Sequence, residues 1–311
     1  MNSQLSLSRR EFLTRTALAS SAAALWCGGA GSGLGAEQTA SPVAVFSKVY
    51  QDLKLNFEQA AEVTAEAGLD GIDCPVRPGG EIEPARAADE MPRYAEALRR
   101  HNARMLLVTT GIVSVASPHT ADILRTAKQL GIKYYRLGSA SHQRDKPLER
   151  QITEIKAQLK EVAALNRELG VCAIFQNHSP GARPYVGGDL AELYEIVKDF
   201  NPDQVGVAFD LGHALNVHGS EWRRHFEQLQ PHIKVAYVKD TKRGAGFVPF
   251  GEGDFGQTDY FSRLKRMGYR APISMHIEFN WAGKGKAKTR SALVTALQQS
   301  LKVLKQWLAE A

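Results

Sequence analysis

From Val43 to Leu308 the chain alternates two hydrophobic rhythms. Short apolar runs, four to seven residues long, are followed by longer segments in which apolar residues return every three or four positions. The first rhythm belongs to buried strands and the second to amphipathic helices. In order, strands are predicted at Val43–Ser47, Gly71–Cys74, Arg104–Thr110, Lys133–Leu137, Val171–Asn177, Val205–Phe209, Ile233–Val238 and Ile273–Phe279. The helices between and after them are Phe57–Ala67, Met91–His101, Thr120–Leu130, Pro147–Leu169, Asp189–Asp199, Ser220–Leu229, Asp259–Met267 and Thr289–Leu308. Gly68, Gly131, Gly170 and Gly268 each follow a predicted helix directly, where a glycine ends it.

Eight strand–helix units in regular alternation imply a parallel sheet covered by helices, and this number suggests closure into a single (β/α)8 TIM barrel of class α/β. No G-x-G-x-x-G follows the first strand, which argues against an open nucleotide-binding sheet. The apolar content of 43% suffices for a sizeable core. The net charge of +6 is spread along the chain, with no basic run interleaved with aromatics, so no nucleic-acid partner is expected.

The first 36 residues read differently. Ser8–Leu13 is S-R-R-E-F-L, followed by a mild apolar run, Thr16–Trp26, and then small residues. This is the pattern of a twin-arginine export signal, with 1–36 as signal peptide and 37–311 as the barrel. The apolar run is shorter than the roughly 20 residues of a spanning helix. The expected home is the periplasm, with no stable membrane association after cleavage and a mild expectation of a bound cofactor. Cys74 and Cys172, on strands 2 and 5, are predicted to be free and buried.

In a TIM barrel the chemistry sits at the C-terminal ends of the strands. Side chains alternate, so residues two apart share a face. Strand 8 has an apolar parity (Ile273, Met275, Ile277, Phe279) and a polar one (Ser274, His276, Glu278), which places His276 and Glu278 toward the mouth. Strand 5 ends F-Q-N-H, so Gln176 and His178 share a parity; a lone His at a strand end is more often structural, but this one neighbours Asp210. Asp210 ends strand 6 and must have a partner if buried: a functional one, or a salt bridge to Arg136 or Lys239. His213 orients Asp210 or contacts substrate. Tyr237 and Lys239 share a parity on strand 7, while Asp240 braces the loop that follows. Strand 2 carries Asp73, with Arg77 in the loop just beyond, and strand 4 carries Arg136, each arginine being a substrate clamp or a structural ion-pair member. The loop Pro249–Gly256 is either a lid with glycine hinges or a turn into helix 7. Trp222 and Trp281 either stack a sugar ring or pack.

F-Q-N-H at Phe175–His178, F-D-L-G-H at Phe209–His213, Y-V-K-D at Tyr237–Asp240, P-F-G-E-G at Pro249–Gly253 and H-I-E-F at His276–Phe279 together resemble the xylose-isomerase-like barrels, the sugar phosphate isomerase/epimerase family. V-R-P-G-G at Val76–Gly80 resembles an exported branch of it. The resemblance implies one divalent metal held by Glu, Asp, His and Glu from strands 5 to 8, the two glutamates also moving the substrate proton. Here Asp210 and Glu278 match, but Gln176 and Tyr237 stand where Glu and His are expected. The expected ligand set is Gln176, Asp210, His276 and Glu278, suited to Mn, Co, Fe or Zn rather than Mg; the alternative is loss of the metal. The implied activity is isomerisation or epimerisation of a non-phosphorylated sugar or keto-sugar by proton abstraction next to a carbonyl, or β-elimination on a keto-sugar. Glu278, His178 and Lys239 are the catalytic candidates; Asp73, Arg77, Arg136, Asn177, His213 and Tyr237 are the substrate-binding ones. The competing reading is a degenerate, non-catalytic sugar-binding barrel. Abasic-site endonucleases need three metals and more His and acidic ligands than this chain offers.

Overall fold

A computed structural model describes residues 41–181 and 184–311. The leader read at 1–36 lies outside the described residues. Eight parallel strands close into a barrel: β1 Val43–Phe46, β2 Gly71–Val76, β3 Arg104–Thr110, β4 Tyr134–Arg136, β5 Cys172–Gln176, β6 Val205–Asp210, β7 Ile233–Val238 and β8 Ile273–Met275. Each pairs in parallel with its sequence neighbours, and β8 closes the ring on β1 through Val43–Ile273, Ala44–Ser274 and Val45–Met275. The (β/α)8 architecture expected from the alternation is the one observed.

The covering helices are α1 Phe57–Glu66, α2 Ala87–Arg100, α3 Thr120–Gln129, α4 Leu148–Leu169, α5 Leu190–Val197, α6 Leu211–His218, α7 Trp222–Leu229, α8 Tyr260–Arg266 and α9 Arg290–Ala309. Local chemistry fixes their ends. Asn56 and Gln59 form a reciprocal capping box at α1, and Gly170, at φ 72°, takes the left-handed turn that ends α4. Among the described residues no helix is long and apolar enough to cross a membrane.

Several element bounds shift by a few residues from the sequence-based expectation, and two differences bear on the site. β8 stops at Met275, not Phe279, although His276 still donates its amide to the Val238 carbonyl. One helix, α6, was not expected: it starts at the residue after Asp210, which serves as its N-cap by accepting the His213 amide at 3.2 Å.

The outer core lies between barrel and helices; Trp222 packs there against Phe209, Phe226 and Tyr260, so it has a packing role. A second, smaller core fills the barrel itself: Ala44, Leu107, Cys172, Ile174, Ala208, Val235 and Tyr237. It acts as the floor on which the polar strand ends stand. Cys74 and Cys172 are free and buried.

Candidate active site

Directly above that floor, the inward parity of the strands turns polar. Asp73 is fully buried and accepts hydrogen bonds from Thr109 Oγ1 (2.8 Å) and Ser274 Oγ (3.0 Å). Burial pushes its carboxyl pKa up, against the opposing Arg136 charge. Asp73 thereby ties β2, β3 and β8 together across the barrel. The Tyr237 hydroxyl reaches the same place, buried and without a hydrogen-bond partner. Burial, reinforced by the Asp73 charge, holds this phenol well above its usual range, so it is not an anionic metal ligand at neutral pH.

One level higher a connected network crosses from β4 to β7. Arg136 donates to Gln176 Oε1, and Gln176 Nε2 donates to Asp210 Oδ2 at 2.8 Å. Lys239 Nζ lies 3.1 Å from the same Oδ2 and 3.1 Å from His213 Nε2. Of the two partners expected for Asp210, the structure selects Lys239. Burial alone would raise the Asp210 pKa, but Lys239, with His213, overcomes it and leaves the group below its ordinary value. Asn177 clamps the strand end: its Nδ2 donates to the Asp210 carbonyl (2.9 Å), and its Oδ1 accepts the Asp210 amide (2.8 Å). Both ends of this amide are therefore committed to backbone.

The histidine protonation states follow from their partners. The ammonium can only donate to His213 Nε2, so Nδ1 carries the proton and donates to Ser179 Oγ at 3.0 Å. Burial drives the His213 pKa down to about 3, so the ring is neutral. His178 Nδ1 lies 2.7 Å from the Ser179 carbonyl and must donate to it, which leaves Nε2 bare. The two rings lie 3.8 Å apart, and desolvation lowers the His178 pKa too. His276 is buried, stacked on Phe46 at 4.8 Å, and burial holds it neutral; neither of its ring nitrogens has a partner. Glu278 stands 3.9 Å from His276 Nδ1. Among the described residues it forms no ion pair with Lys or Arg. It borders a cavity of about 410 Å³ between the ends of β1 and β8, together with Phe46, Lys48 and Trp281. Trp281 bonds to Asp52 and lies under the Lys288 ammonium, so that contact does not leave the ring face free. Arg77 and Arg136 both lean on the Phe46 ring, at 5.8 and 5.7 Å from its centroid.

The donor set does not fit a divalent ion. Gln176, Asp210, His276 and Glu278 form no joint ligand group, and among the described residues no three His, Cys, Asp or Glu side chains converge as ligands. Asp210 Oδ2 already takes an ammonium and an amide N–H, Oδ1 takes a backbone amide, and the Gln176 oxygen faces a guanidinium. The positive charge beside Asp210 belongs to the protein itself.

The loop Pro249–Gly256 is braced, because Asp240 accepts the amides of Gly251, Gly253 and Phe255 at 2.8–3.2 Å, and that of Thr241 at 2.9 Å. Sequence reasoning missed Glu81, whose carboxyl turns inward to Ser47, Tyr94 and Cys74. Burial pushes its pKa up to about 8. It also missed Ser179, although its place directly after F-Q-N-H was a usable signal.

A sequence profile described as the xylose isomerase-like TIM barrel matches residues 61–307. An uncharacterised protein of Methanocaldococcus jannaschii is 28% identical over 123 residues, covering 38% of this chain and 40% of its own length. The chain thus spans about two-fifths of that curated relative. Among solved structures, the 3-keto-D-glucoside 4-epimerase of E. coli superposes with a TM-score of 0.62 at 13% identity, over 86% of this chain and 99% of that one. An IolI protein with a bound zinc atom superposes with a TM-score of 0.64 at 18% identity, over 86% and 98%. These likenesses support the same barrel, and the profile covers most of the chain. The protein therefore belongs to the xylose isomerase-like TIM barrel family.

Proposed function

We propose that this protein is a carbohydrate isomerase or epimerase that moves a proton at the carbon next to a carbonyl, using its own cations where relatives use a metal. One observation carries the reading. Two proton-transfer groups remain uncommitted at the barrel mouth: the Glu278 carboxylate from the β8 side and the bare Nε2 of neutral His178 from the β5 side. The sugar-epimerase name of a structural neighbour agrees with it.

In this reading the sugar enters the cavity beside Glu278. The carboxylate takes the C–H proton, and the electron pair moves onto the carbonyl oxygen to give an enediolate. Arg136, half-buried at the mouth, stabilises that oxygen. His178 Nε2 takes the neighbouring hydroxyl proton and returns it to the enediolate oxygen. Glu278 then delivers its proton to the other carbon for isomerisation; the epimer forms instead when His178, carrying the hydroxyl proton, protonates the first carbon on its opposite face and Glu278 returns its proton to that hydroxyl oxygen. Lys239 is a positioning residue, holding Asp210 and His213 in place and keeping positive charge under the mouth. The Arg9–Arg10 leader supports export to the periplasm, and with it a non-phosphorylated substrate.

Incubation in D2O with a panel of ketoses, aldoses and 3-keto-glucosides, followed by proton NMR, tests this. Loss of one C–H signal is expected, slowed at least ~100-fold by Glu278→Gln. Full exchange in Glu278→Gln sinks the reading. A second reading, a sugar-binding barrel without turnover, draws on Gln176 and Tyr237 standing at family ligand positions; ligand binding with no exchange on any panel member would favour it.

A further inference from the structure

We infer that the substrate carries a carboxylate, and that Arg77 and Arg136 grip it above the Phe46 ring. This rests on reading the mouth as a sugar site, and it names the class of sugar: an acidic one.

Arg77 comes from the loop after β2 and Arg136 from the last position of β4, and their guanidinium carbons lie 5.8 and 5.7 Å from the centroid of the same Phe46 ring. Two like charges have been brought near one ring, and the Arg77 pKa is lowered by burial first and by Arg136 second. Several other arginines do meet a carboxylate within 4 Å, among them Arg86, Arg99, Arg100, Arg223, Arg263 and Arg290. Among the described residues Arg77 and Arg136 meet none, and the one hydrogen bond of Arg136 goes to the neutral Gln176 oxygen. Desolvating a charge without a partner is costly, and two such charges at the barrel mouth call for an anion.

Independent signs of a ligand surround the same ring. Arg136 Nε, the Tyr237 hydroxyl and both nitrogens of His276 are buried and have no partner. His276 stacks on Phe46 and touches Tyr237, at 4.8 and 4.5 Å. Polar atoms orphaned in a cluster mark a place where a polar group belongs. Asp210 is paired with Lys239, and Asp73 lies beneath, held by the hydroxyls of Thr109 and Ser274, so neither carboxylate forms an ion pair with the two guanidiniums. A planar carboxylate meets the forked guanidinium in two parallel hydrogen bonds, and Phe46 joins this grip to the cavity holding Glu278.

Calorimetric titration of the purified full chain with D-glucuronate, D-galacturonate, D-glucose and D-glucose 6-phosphate tests the inference in phosphate-free buffer. At least one uronate is expected to bind tenfold or more tighter than glucose. Arg77→Met, which keeps a stem against Phe46, is expected to erase that preference while leaving the melting temperature near that of wild type; Arg77→Lys should restore part of it. Equal binding of glucose and both uronates, no binding of either uronate, or a preference confined to the phosphate ester each overturns it. The same titrations on Glu278→Gln separate the two proposals: retained uronate preference in that variant supports the anion grip, whereas full proton exchange in it removes the catalytic reading alone.

Discussion

The Lys239 ammonium and the Asp210 carboxylate lie 3.1 Å apart, and neither is more than 3% exposed. Asp210 is one of the residues that the sequence resemblance leads us to expect as a metal ligand, and here it meets an ammonium instead. Buried pairs of this kind are balanced between desolvation and attraction, and removing one partner leaves the other uncompensated. Lys239→Met is expected to cost about 3–5 kcal/mol at pH 7, read from denaturant unfolding. Adding Asp210→Asn should recover part of it, through a coupling measured by the double-mutant cycle. The acid side follows by sign. The folded carboxylate titrates below its unfolded value near ~3.9, so its stabilisation is present above that value and is lost as pH falls through the folded one. If Lys239→Met unfolds at the wild-type denaturant concentration, the pair contributes nothing.

Because the protein supplies this charge itself, chelation should leave it intact. EDTA dialysis is expected to shift the thermal midpoint by no more than ~1 °C, since a ligand bound only by the native state would otherwise stabilise it by mass action. Elemental analysis of the natively purified protein should find less than stoichiometric Mn, Fe, Co and Zn. A full equivalent of one metal, lost in Asp210→Asn, would contradict the donor argument.

Glu81 sets an alkaline dependence. Its folded pKa of about 8 lies above the ordinary glutamate value of 4.5, with burial as the main cause. A raised carboxyl pKa gives stability that is complete below the unfolded value and fades as pH rises through the folded one. Wild type should therefore lose stability between pH 4.5 and 8, and Glu81→Gln should flatten that slope. Urea midpoints at pH 5, 7 and 8.5 decide it; parallel slopes in the two proteins would rule Glu81 out.

Asp240 holds the Pro249–Gly256 loop by three of its backbone amides and adds the amide of Thr241. Asp240→Ala is expected to cost roughly 2–4 kcal/mol, since hydrogen bonds to a charged acceptor are strong and their loss strands buried donors. Hydrogen exchange should accelerate at Gly251, Gly253 and Phe255 before it does in β7. Unchanged protection there would show that the loop is held by other contacts.

How far the sequence carried the structure depends on the kind of information. Barrel strands were legible because their burial is continuous, and β3 and β7 begin and end where the pattern places them. The polar parity of strand 8 correctly aimed Ser274 and His276 inward, since alternation is a property of the backbone. Helix α6 was not legible, because the Asp-Leu-Gly-His that starts it looks like a catalytic loop; only Asp210 as N-cap betrays it. Glu81 follows a glycine pair in an irregular loop, where no periodicity says which way a side chain turns. The partner of Asp210 was narrowed to two cations but not chosen, because that depends on a crossing between strands.

That crossing is permitted by an absence. A Cβ on Gly212 would sit 2.6 Å from the Lys239 side chain and 2.8 Å from its carbonyl, so the lysine stem runs along a groove that a side chain there would fill. The internal cation therefore depends on two positions in the chain, the lysine at 239 and the glycine at 212. A lineage that placed any larger residue at position 212 would close the track from β7, and the axis of its barrel would have to recruit its positive charge from solution.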